Sequence, residues 1–495
     1  MTIFEGLLIF FTIVFIYFII VYILHKKGIL KKYNISFYGP GLLFRTKKGV
    51  GFLEKIASKK RFWKAYGSTG ILVCFIVMVL FVFLLVFQSF ILFDLEPEQK
   101  ELIPGPEAAF PIPGLNPILP IEYFLYIILG LIIALIVHEF SHGILSIVGK
   151  IKVKSLGMLL LVIPIGAFTE PDEEELKKTD IPKRMRVYAA GPLSNFAVAF
   201  ICLLLFSFIF MSAVQPISGV DIFYVLDDTP AESIGLSKGC VITNINDTKV
   251  VNSENFALVM NNTKPNQNIN IIYMIQEEKF STNVELISRY DYHKNYYKKK
   301  GIELDESINQ SIVESYKEYY ESKGIELNES FNQSIIESLK NDSFLGIGFN
   351  PYNKEYLLSS IKNPFTYRFP DGLFNLYALP FFGYIARYNP IAYPFTNSYI
   401  ITGPLNALPT ELFWGIINTL YWVFWISLAL GIFNVLPMIP LDGGFLFNDA
   451  FRVIVKKIKK DITNETRDKI VRKITTIASI AILLMILLPF LVKYI

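Results

Sequence analysis

Long apolar runs constrain this chain more than any other feature of its sequence. Crossing a bilayer takes roughly 18–20 apolar residues. Six runs reach that length, at 3–24, 71–93, 124–148, 187–211, 413–438 and 474–492. With 53% hydrophobic residues, the chain of 495 is too apolar for a soluble protein of its size. The sequence therefore predicts a multi-pass α-helical membrane protein with about six transmembrane helices.

The loops between these runs differ in charge. Segments 25–68, 150–186 and 449–473 carry twelve, eight and nine basic residues, whereas 94–121 carries one lysine and five acids. Because Lys and Arg concentrate in cytoplasmic loops, this alternation puts 213–411 outside, and Asp449 and Asp461 in a solvated basic loop. The net charge of +4 is spread over loops, so we expect no nucleic-acid partner.

The outside segment has its own organisation. Residues 219–250 alternate as strands around a short helix, with Thr229 as its cap and Pro230 in its first turn. Residues 294–315 recur at 317–338, and we expect this repeat to form a charged helical hairpin inserted in a surface loop. The segment after it is aromatic and proline-rich, which is typical of the membrane interface.

These features divide the chain into four regions. The predicted domains are an N-terminal membrane core at 1–212, an α+β outside domain at 213–350 with an insertion at about 286–344, an interfacial segment at 351–411, and a C-terminal membrane core at 412–495.

Three ionisable residues interrupt the third apolar run, where each is costly. They are His138, Glu139 and His142 of "HEFSH". The i, i+4 spacing puts both imidazoles on one helix face, where they suit one Zn²⁺, and Glu139 can then act as general base. The alternative is three polar groups satisfied within a helix bundle. Burying them without a metal would cost several kcal/mol, so the sequence predicts a zinc site.

A catalytic zinc site needs a third protein ligand. The other polar anomaly is "NVLPMIPLDGG" at 434–444, at the inner end of the fifth run. Its prolines break the helix, and its two glycines permit the tight geometry that aims a short carboxylate. Asp442 is expected at the same depth as His142, so we predict it as the third ligand. The alternative is that Asp442 caps a helix end beside a basic loop.

The order of these motifs resembles the site-2 protease family of intramembrane zinc metalloproteases. The motifs are HEFSH, "AAGPLSNFAVA" at 189–199, a PDZ-like segment and "NVLPMIPLDGG". The resemblance implies zinc bound by His138, His142 and Asp442, with Glu139 as the catalytic glutamate. It also implies proteolysis of membrane-spanning substrates, usually after an upstream protease has trimmed their outside part.

A PDZ-like outside domain is part of the same resemblance. "TPAESIGLSKGCVITNINDTKV" fits the family pattern, with Cys240 where an aspartate is common. The charged repeat is not part of that pattern. We expect "FLGIGF" at 344–349 to supply a returning strand that closes the domain around the insertion.

Further residues are candidates for contacting substrate. Asn195 and Asn434 lie near the ends of spans that should flank the metal, and each can orient substrate or stabilise the oxyanion, or instead make a helix–helix hydrogen bond or cap. Residues 155–168 are apolar but too short to span. They predict a re-entrant strand pair, whose edge either pairs with unwound substrate or only packs.

The sequence is also compatible with two other classes of protein. One is a non-proteolytic membrane scaffold with a structural zinc and a peptide-binding PDZ-like domain. The other is a membrane zinc protease of a different class, which takes its third ligand from a histidine or glutamate. Glu139 and an open coordination position favour an intramembrane protease. We expect it in the cell membrane, with the site toward the cytoplasm and membrane-spanning proteins as substrates.

Overall fold

A computed structural model of the chain describes residues 3–32, 35–38, 41–161, 163–302, 305–323, 331–459 and 462–494. The elements up to residue 204 are α1 (Ile3–Lys26), α2 (Ile29–Lys32), β1 (Ile35–Tyr38), β2 (Gly41–Thr46), α3 (Val50–Ala57), α4 (Lys60–Phe93), α5 (Pro97–Glu101), α6 (Phe124–Val148), β3 (Val153–Leu161), β4 (Ile163–Pro171), α7 (Glu173–Lys178) and α8 (Ile181–Leu204).

Short strands and helices make up the middle of the chain. They are β5 (Val214–Pro216), β6 (Val220–Val225), α9 (Pro230–Ser233), β7 (Val241–Ile245), β8 (Thr248–Lys249), α10 (Ser253–Asn261), β9 (Asn268–Ile275), β10 (Glu278–Glu285), β11 (Ile287–Ser288), α11 (Arg289–Lys299), α12 (Asp305–Ser322), α13 (Phe331–Asn341), β12 (Ser343–Phe344), β13 (Ile347–Phe349), α14 (Lys354–Lys362), α15 (Asp371–Ile385) and β14 (Tyr399–Ile401). Three helices complete the chain, α16 (Thr410–Val435), α17 (Asp442–Ile458) and α18 (Asn464–Val492).

Two compact units make up the chain. The first combines Met1–Phe206 with Gly415–Ile495 and the short segment Gly383–Ala386. The second is formed by Ser207–Phe382 and Arg387–Trp414. All the ionisable residues singled out in the apolar runs belong to the first unit.

Long apolar helices dominate the first unit. Among the described residues, five helices are long and apolar enough to cross a membrane: Lys60–Phe93, Ile121–Val148, Ile181–Ala213, Thr410–Val435 and Asn464–Val492. Their outward faces carry exposed apolar side chains, as on α4, where Val79 and Phe90 are 67% and 70% exposed. Such faces suit contact with lipid. The predicted first run falls on α1, so the count of six spans stays a prediction.

A four-stranded antiparallel sheet in the first unit has the order β1-β2-β3-β4. The predicted strand pair at 155–168 is confirmed as β3 and β4, with Val162 outside the described residues. The hairpin β1–β2 was not predicted, because its residues were assigned to a basic loop. Its β2 pairs with β3, and α3 buries Leu53 and Ala57 against α6 in the same apolar cluster.

Two glycines shape the start of α17. A Cβ at Gly443 would lie 2.1 Å from the Val435 carbonyl oxygen, and one at Gly444 would lie 2.6 Å from the Met438 carbonyl. Since a side chain at either position would meet backbone, α17 can fold back against the end of α16 only with glycine there. This tight turn fixes Asp442 as the first residue of α17.

The expectation of a solvated Asp449 was wrong. Asp449 lies within α17, is 3% exposed, and pairs with the buried Arg184 of α8. The charge count treated 449–473 as one loop. Residues 442–458 instead form helix α17, and Asp449 lies on its buried face together with Leu446. Asp461 lies outside the described residues.

The second unit contains a sheet in the order β10-β9-β7-β6-β13, with β8 paired to β7. Short helices α9 and α10 lie in its connections, and Phe256 of α10 packs against Phe349 of β13. The returning strand expected at 344–349 is present as β13, antiparallel to β6. On α14, Lys354 forms a buried ion pair with Asp221 of β6 at 2.6 Å.

A helical insertion interrupts this sheet between β11 and β12, which pair with each other at its base. Helices α11, α12 and α13 share an apolar core that includes Tyr290, Ile308, Ile312 and Leu339. A groove of about 790 Å³ lies between α12 and α13. Its walls hold four matching positions of the two repeat copies and two further lysines. The matching positions are Asn309 and Asn332, Gln310 and Gln333, Val313 and Ile336, and Glu314 and Glu337, and the lysines are Lys317 and Lys340.

Candidate metal centre

Three side chains from two helices converge in the first unit. His138 and His142 lie one turn apart on α6, and Asp442 begins α17. Oδ2 of Asp442 is 3.1 Å from Nε2 of His138 and 3.1 Å from Nε2 of His142. One ligand atom from each residue lies within 4.8 Å of the others, so the three could hold a metal ion. The structure thus brings together the residues predicted as ligands.

Each imidazole also has a hydrogen-bond partner at Nδ1, the ring nitrogen that faces away from Asp442. Nδ1 of His142 lies 2.7 Å from the carbonyl oxygen of Val187 on α8. A carbonyl only accepts, so this Nδ1 carries the proton and the lone pair is at Nε2. His138 is 5% exposed, and its Nδ1 lies 3.1 Å from the Asn195 carboxamide.

The orientation of the Asn195 carboxamide is linked to the tautomer of His138. With Nδ2 facing the ring, Oδ1 of Asn195 is fully buried and has no hydrogen-bond partner among the described residues. The two ends of an amide have nearly the same shape, so turning it by 180° keeps the packing. The oxygen then accepts from Nδ1–H of His138, and the lone pair of this ring is also at Nε2.

These tautomers fit a cation. With both Nε2 atoms unprotonated, two imidazole lone pairs converge on Oδ2 of Asp442, which lies 3.1 Å from each Nε2. Such a group of acceptors is stabilised by a positive ion between its members. A tetrahedral zinc site with bonds of about 2.0–2.1 Å has ligand–ligand edges of about 3.3 Å. The two histidine–aspartate separations of 3.1 Å are close to this value.

The backbone of α8 closes one side of the site. A Cβ at Gly191 would lie 2.5 Å from Nε2 of His138 and 2.5 Å from Nε2 of His142. A methyl group there would occupy the space that a bound ion needs. The glycine is therefore part of the cradle. Pro192, the next residue, lies inside α8.

Hydrogen bonds with strand β4 fix the orientation of the Glu139 side chain. Its Oε2 accepts a hydrogen bond of 2.6 Å from the backbone N–H of Thr169 on β4, while Oγ1 of Thr169 donates to the Glu139 carbonyl at 2.6 Å. Two bonds thus join the edge strand to the metal-binding helix at this glutamate. The other carboxylate oxygen, Oε1, takes no part in these two bonds and is available to the site.

Asn434 forms a hydrogen bond within its own helix, one of the alternatives that the sequence allowed. Its Nδ2 donates to the Leu430 carbonyl of its own helix at 3.0 Å. Sequence reasoning missed Thr169 and Val187, because a backbone N–H and a backbone carbonyl leave no trace in residue type. The buried Arg184–Asp449 pair was missed as well. Residue type did not distinguish Arg184 from its basic neighbours Lys183 and Arg186.

The helices and the converging side chains define a polytopic membrane protein with a His-His-Asp group that could hold a metal ion. The chain matches the profile of peptidase family M50 over residues 126–485, which include all three of these residues. It belongs to that family, the site-2 protease family.

One curated relative is an uncharacterized protein of Methanocaldococcus jannaschii. It is 26% identical over 433 residues, which are 86% of this chain and 82% of the relative. The chain is also similar to the crystal structure of the PDZ domain of an SdrC-like protein from Listeria monocytogenes. That similarity has 24% identity and a TM-score of 0.14 over 15% of this chain and 78% of the other. A TM-score this low does not establish a shared fold.

Proposed function

We propose that this chain is an intramembrane zinc metalloprotease that hydrolyses peptide bonds in or near the transmembrane segments of other proteins. One observation carries the proposal. The Nε2 atoms of His138 and His142, on a helix apolar enough to cross a membrane, meet Oδ2 of Asp442 at the start of α17. Membership of peptidase family M50 supports the same conclusion.

In this proposal His138, His142 and Asp442 hold the zinc ion. When bound, zinc supplies Lewis-acid chemistry, which activates water and polarises a carbonyl. Asp442 contributes a negative charge that offsets the cation in an apolar environment. Val187 and Asn195 keep both imidazoles in the tautomer that leaves Nε2 free.

Glu139 is the general base and acid in the proposed reaction. The Thr169 N–H holds one carboxylate oxygen, so the side chain has a fixed orientation relative to α6. From there Glu139 can take a proton from the attacking water and return it to the leaving amine. Its position next to His138 in the chain keeps it beside the site.

We assign the substrate segment to the free edge of β4. A peptide bond in a helix is shielded by its own hydrogen bonds, so a spanning substrate must unwind before cleavage. An unwound segment in the membrane needs new partners for its backbone groups. Among the described strands, β4 pairs only with β3. Addition of an extended substrate strand would supply those partners beside Glu139.

The second unit is proposed as an outside domain that restricts access for substrates that still carry bulky outside parts. Its PDZ-like character rests on the sequence pattern and the sheet order. The basic loops support a site toward the cytoplasm, with cleavage following that of an upstream protease.

The test uses purified chain in liposomes with a short model span as substrate. We expect close to one zinc per chain and cleavage within the span. Glu139→Gln should keep the zinc and lose about 10²–10⁴-fold in turnover. Asp442→Asn should lower both zinc affinity and turnover.

Matched variants decide the ligand assignment. Asp468→Asn changes an aspartate that pairs with Arg452 and Arg467 on α17 and α18, away from the histidines, and should keep its zinc. X-ray absorption of the loaded chain should fit two nitrogen ligands plus oxygen and no sulfur. Full activity in Glu139→Gln, or full zinc affinity in Asp442→Asn, would contradict the proposal.

A further inference from the structure

We propose that Arg184 and Asp449 form a positioning pair, which sets the register of α17 against α8 and thereby holds Asp442 at the metal centre. The inference rests on the proposed function, since it gives this pair a role in assembling the zinc site. Neither residue contacts the three ligands. Both act through the helices that carry or flank them.

The pair is buried and has two parallel hydrogen bonds. Nε of Arg184 donates to Oδ2 of Asp449 at 2.6 Å, and an Nη atom donates to Oδ1 at 2.5 Å. The other Nη donates to the Lys177 carbonyl at 3.2 Å, just before α8. Arg184 is 7% exposed and Asp449 is 3% exposed. A fork-to-fork pair of this kind has one favoured geometry, unlike an apolar contact.

The pair is one end of a regular seam between two antiparallel helices. On α8, Arg184, Tyr188 and Gly191 follow one another at i, i+4 and i+7, so they share a face. On α17, Asp449, Phe445 and Asp442 follow at the same spacing in the opposite direction. The rings of Tyr188 and Phe445 stack in the middle, with centroids 5.1 Å apart.

The metal centre is the other end of this seam. Seven residues of helix are about 10.5 Å long, so each end lies two turns from the other. A slip of α17 by one turn would move Asp442 by about 5.4 Å, out of reach of both histidines. The stacked rings and surrounding aliphatic side chains tolerate small shifts, whereas the bidentate pair does not. The charged end of the seam therefore fixes the ligand at the other end.

Stability must be separated from positioning, because removal of one partner leaves an unpaired buried charge. Replacing both partners by apolar residues of similar size avoids that penalty. The test compares Asp449→Asn with the double variant Arg184→Met and Asp449→Leu. The matched control is Lys354→Met with Asp221→Leu, which removes a buried ion pair of the second unit.

Two quantities are measured on purified chain in detergent: zinc affinity by chelator competition, and the thermal unfolding midpoint of the metal-free form. Asp449→Asn should lower both. The double variant should unfold near the wild-type temperature yet bind zinc about 10–100-fold more weakly, as for other groups that orient metal ligands. The control pair should leave zinc affinity unchanged.

Wild-type zinc affinity in the double variant would overturn the inference. A crosslink tests the register without metal. With the three native cysteines replaced by alanine, His142→Cys and Asp442→Cys should crosslink through a short bifunctional thiol reagent. The yield should fall when Arg184→Met and Asp449→Leu are added, and an unchanged yield would also overturn the inference. A wild-type chain that binds no zinc would contradict the proposed function alone, since the crosslink still decides the register.

Discussion

The Asn195 carboxamide lies 3.1 Å from Nδ1 of His138, on the side of the ring opposite to Asp442. This contact is the helix–helix hydrogen bond that the sequence allowed as an alternative to an oxyanion or substrate contact. In the proposed zinc site, Asn195 would accept from Nδ1–H of His138 and direct the Nε2 lone pair toward the ion.

Asn195→Ala is therefore expected to weaken zinc binding by about 10–100-fold, because His138 loses the group that fixes its tautomer and orientation. Asn195→Asp keeps an acceptor at this position and should retain more affinity. Chelator competition measures both. If Asn195 acts on substrate instead, Asn195→Ala will bind zinc normally and show only a lower kcat/KM.

Gly191→Ala should abolish metal binding while the chain still inserts and folds. The added methyl group would lie 2.5 Å from Nε2 of both histidines and take the space of the ion. The control is Gly415→Ala on α16, where a Cβ would meet only the Tyr126 hydroxyl at 3.7 Å. Zinc content by elemental analysis should separate the two variants, and equal content would mean that the ion does not lie against α8.

Thr169→Pro should lower turnover about tenfold or more without loss of zinc. Proline removes the N–H that holds Oε2 of Glu139, and a hydrogen bond to a charged group contributes about 1.5–3 kcal/mol. This N–H points away from β3, so the sheet ladder is kept. Thr169→Val retains the N–H and loses only the hydroxyl bond, so it should keep most activity. Equal kcat in Thr169→Pro and wild type would show that Glu139 does not depend on β4.

The helical insertion should loosen at acidic pH. Burial, together with the positive charge of Arg289, lowers the pKa of His293 below its usual value. A depressed pKa means that the unfolded chain takes up the proton first, so stability is complete above about pH 6.5 and falls as the pH drops through the lowered pKa.

Hydrogen exchange measures this effect locally. Amides of α11 and α12 should exchange faster at pH 5 than at pH 7.5, after correction for the intrinsic rate. His293→Gln keeps a polar group that can reach the Tyr316 hydroxyl, 3.2 Å from Nε2 of His293, and cannot be protonated. The pH effect should be smaller in this variant. Equal pH dependence in both chains would assign the effect to another group.

Much of the site could be predicted because residue type and spacing carry its chemistry. The i, i+4 histidines identified one helix face, and the break at "PLDGG" identified a carboxylate near the same depth. The strand pair was predictable because its apolar run was too short to span. The roles assigned to Glu139, Asn434 and the three ligands stay predictions until variants are measured.

The residues that support the site were not predictable in the same way. Thr169 and Val187 act through backbone groups, which every residue has. Asp449 was predicted in a solvent-exposed loop because many lysines and arginines follow it in the sequence. Its partner Arg184 lies 265 positions earlier, and only the packing of α8 on α17 brings them together. Long-range pairing of this kind depends on tertiary structure rather than local pattern.

The groove between α12 and α13 has an evolutionary consequence. An internal duplication supplied both of its walls at once, and three of the four matched positions still carry the same residue type in each copy. A mutation in one copy leaves its twin facing the altered residue across the groove. Selection can therefore reshape one wall while the other preserves the ancestral chemistry, which gives this insertion a way to diversify without first losing the surface it started with.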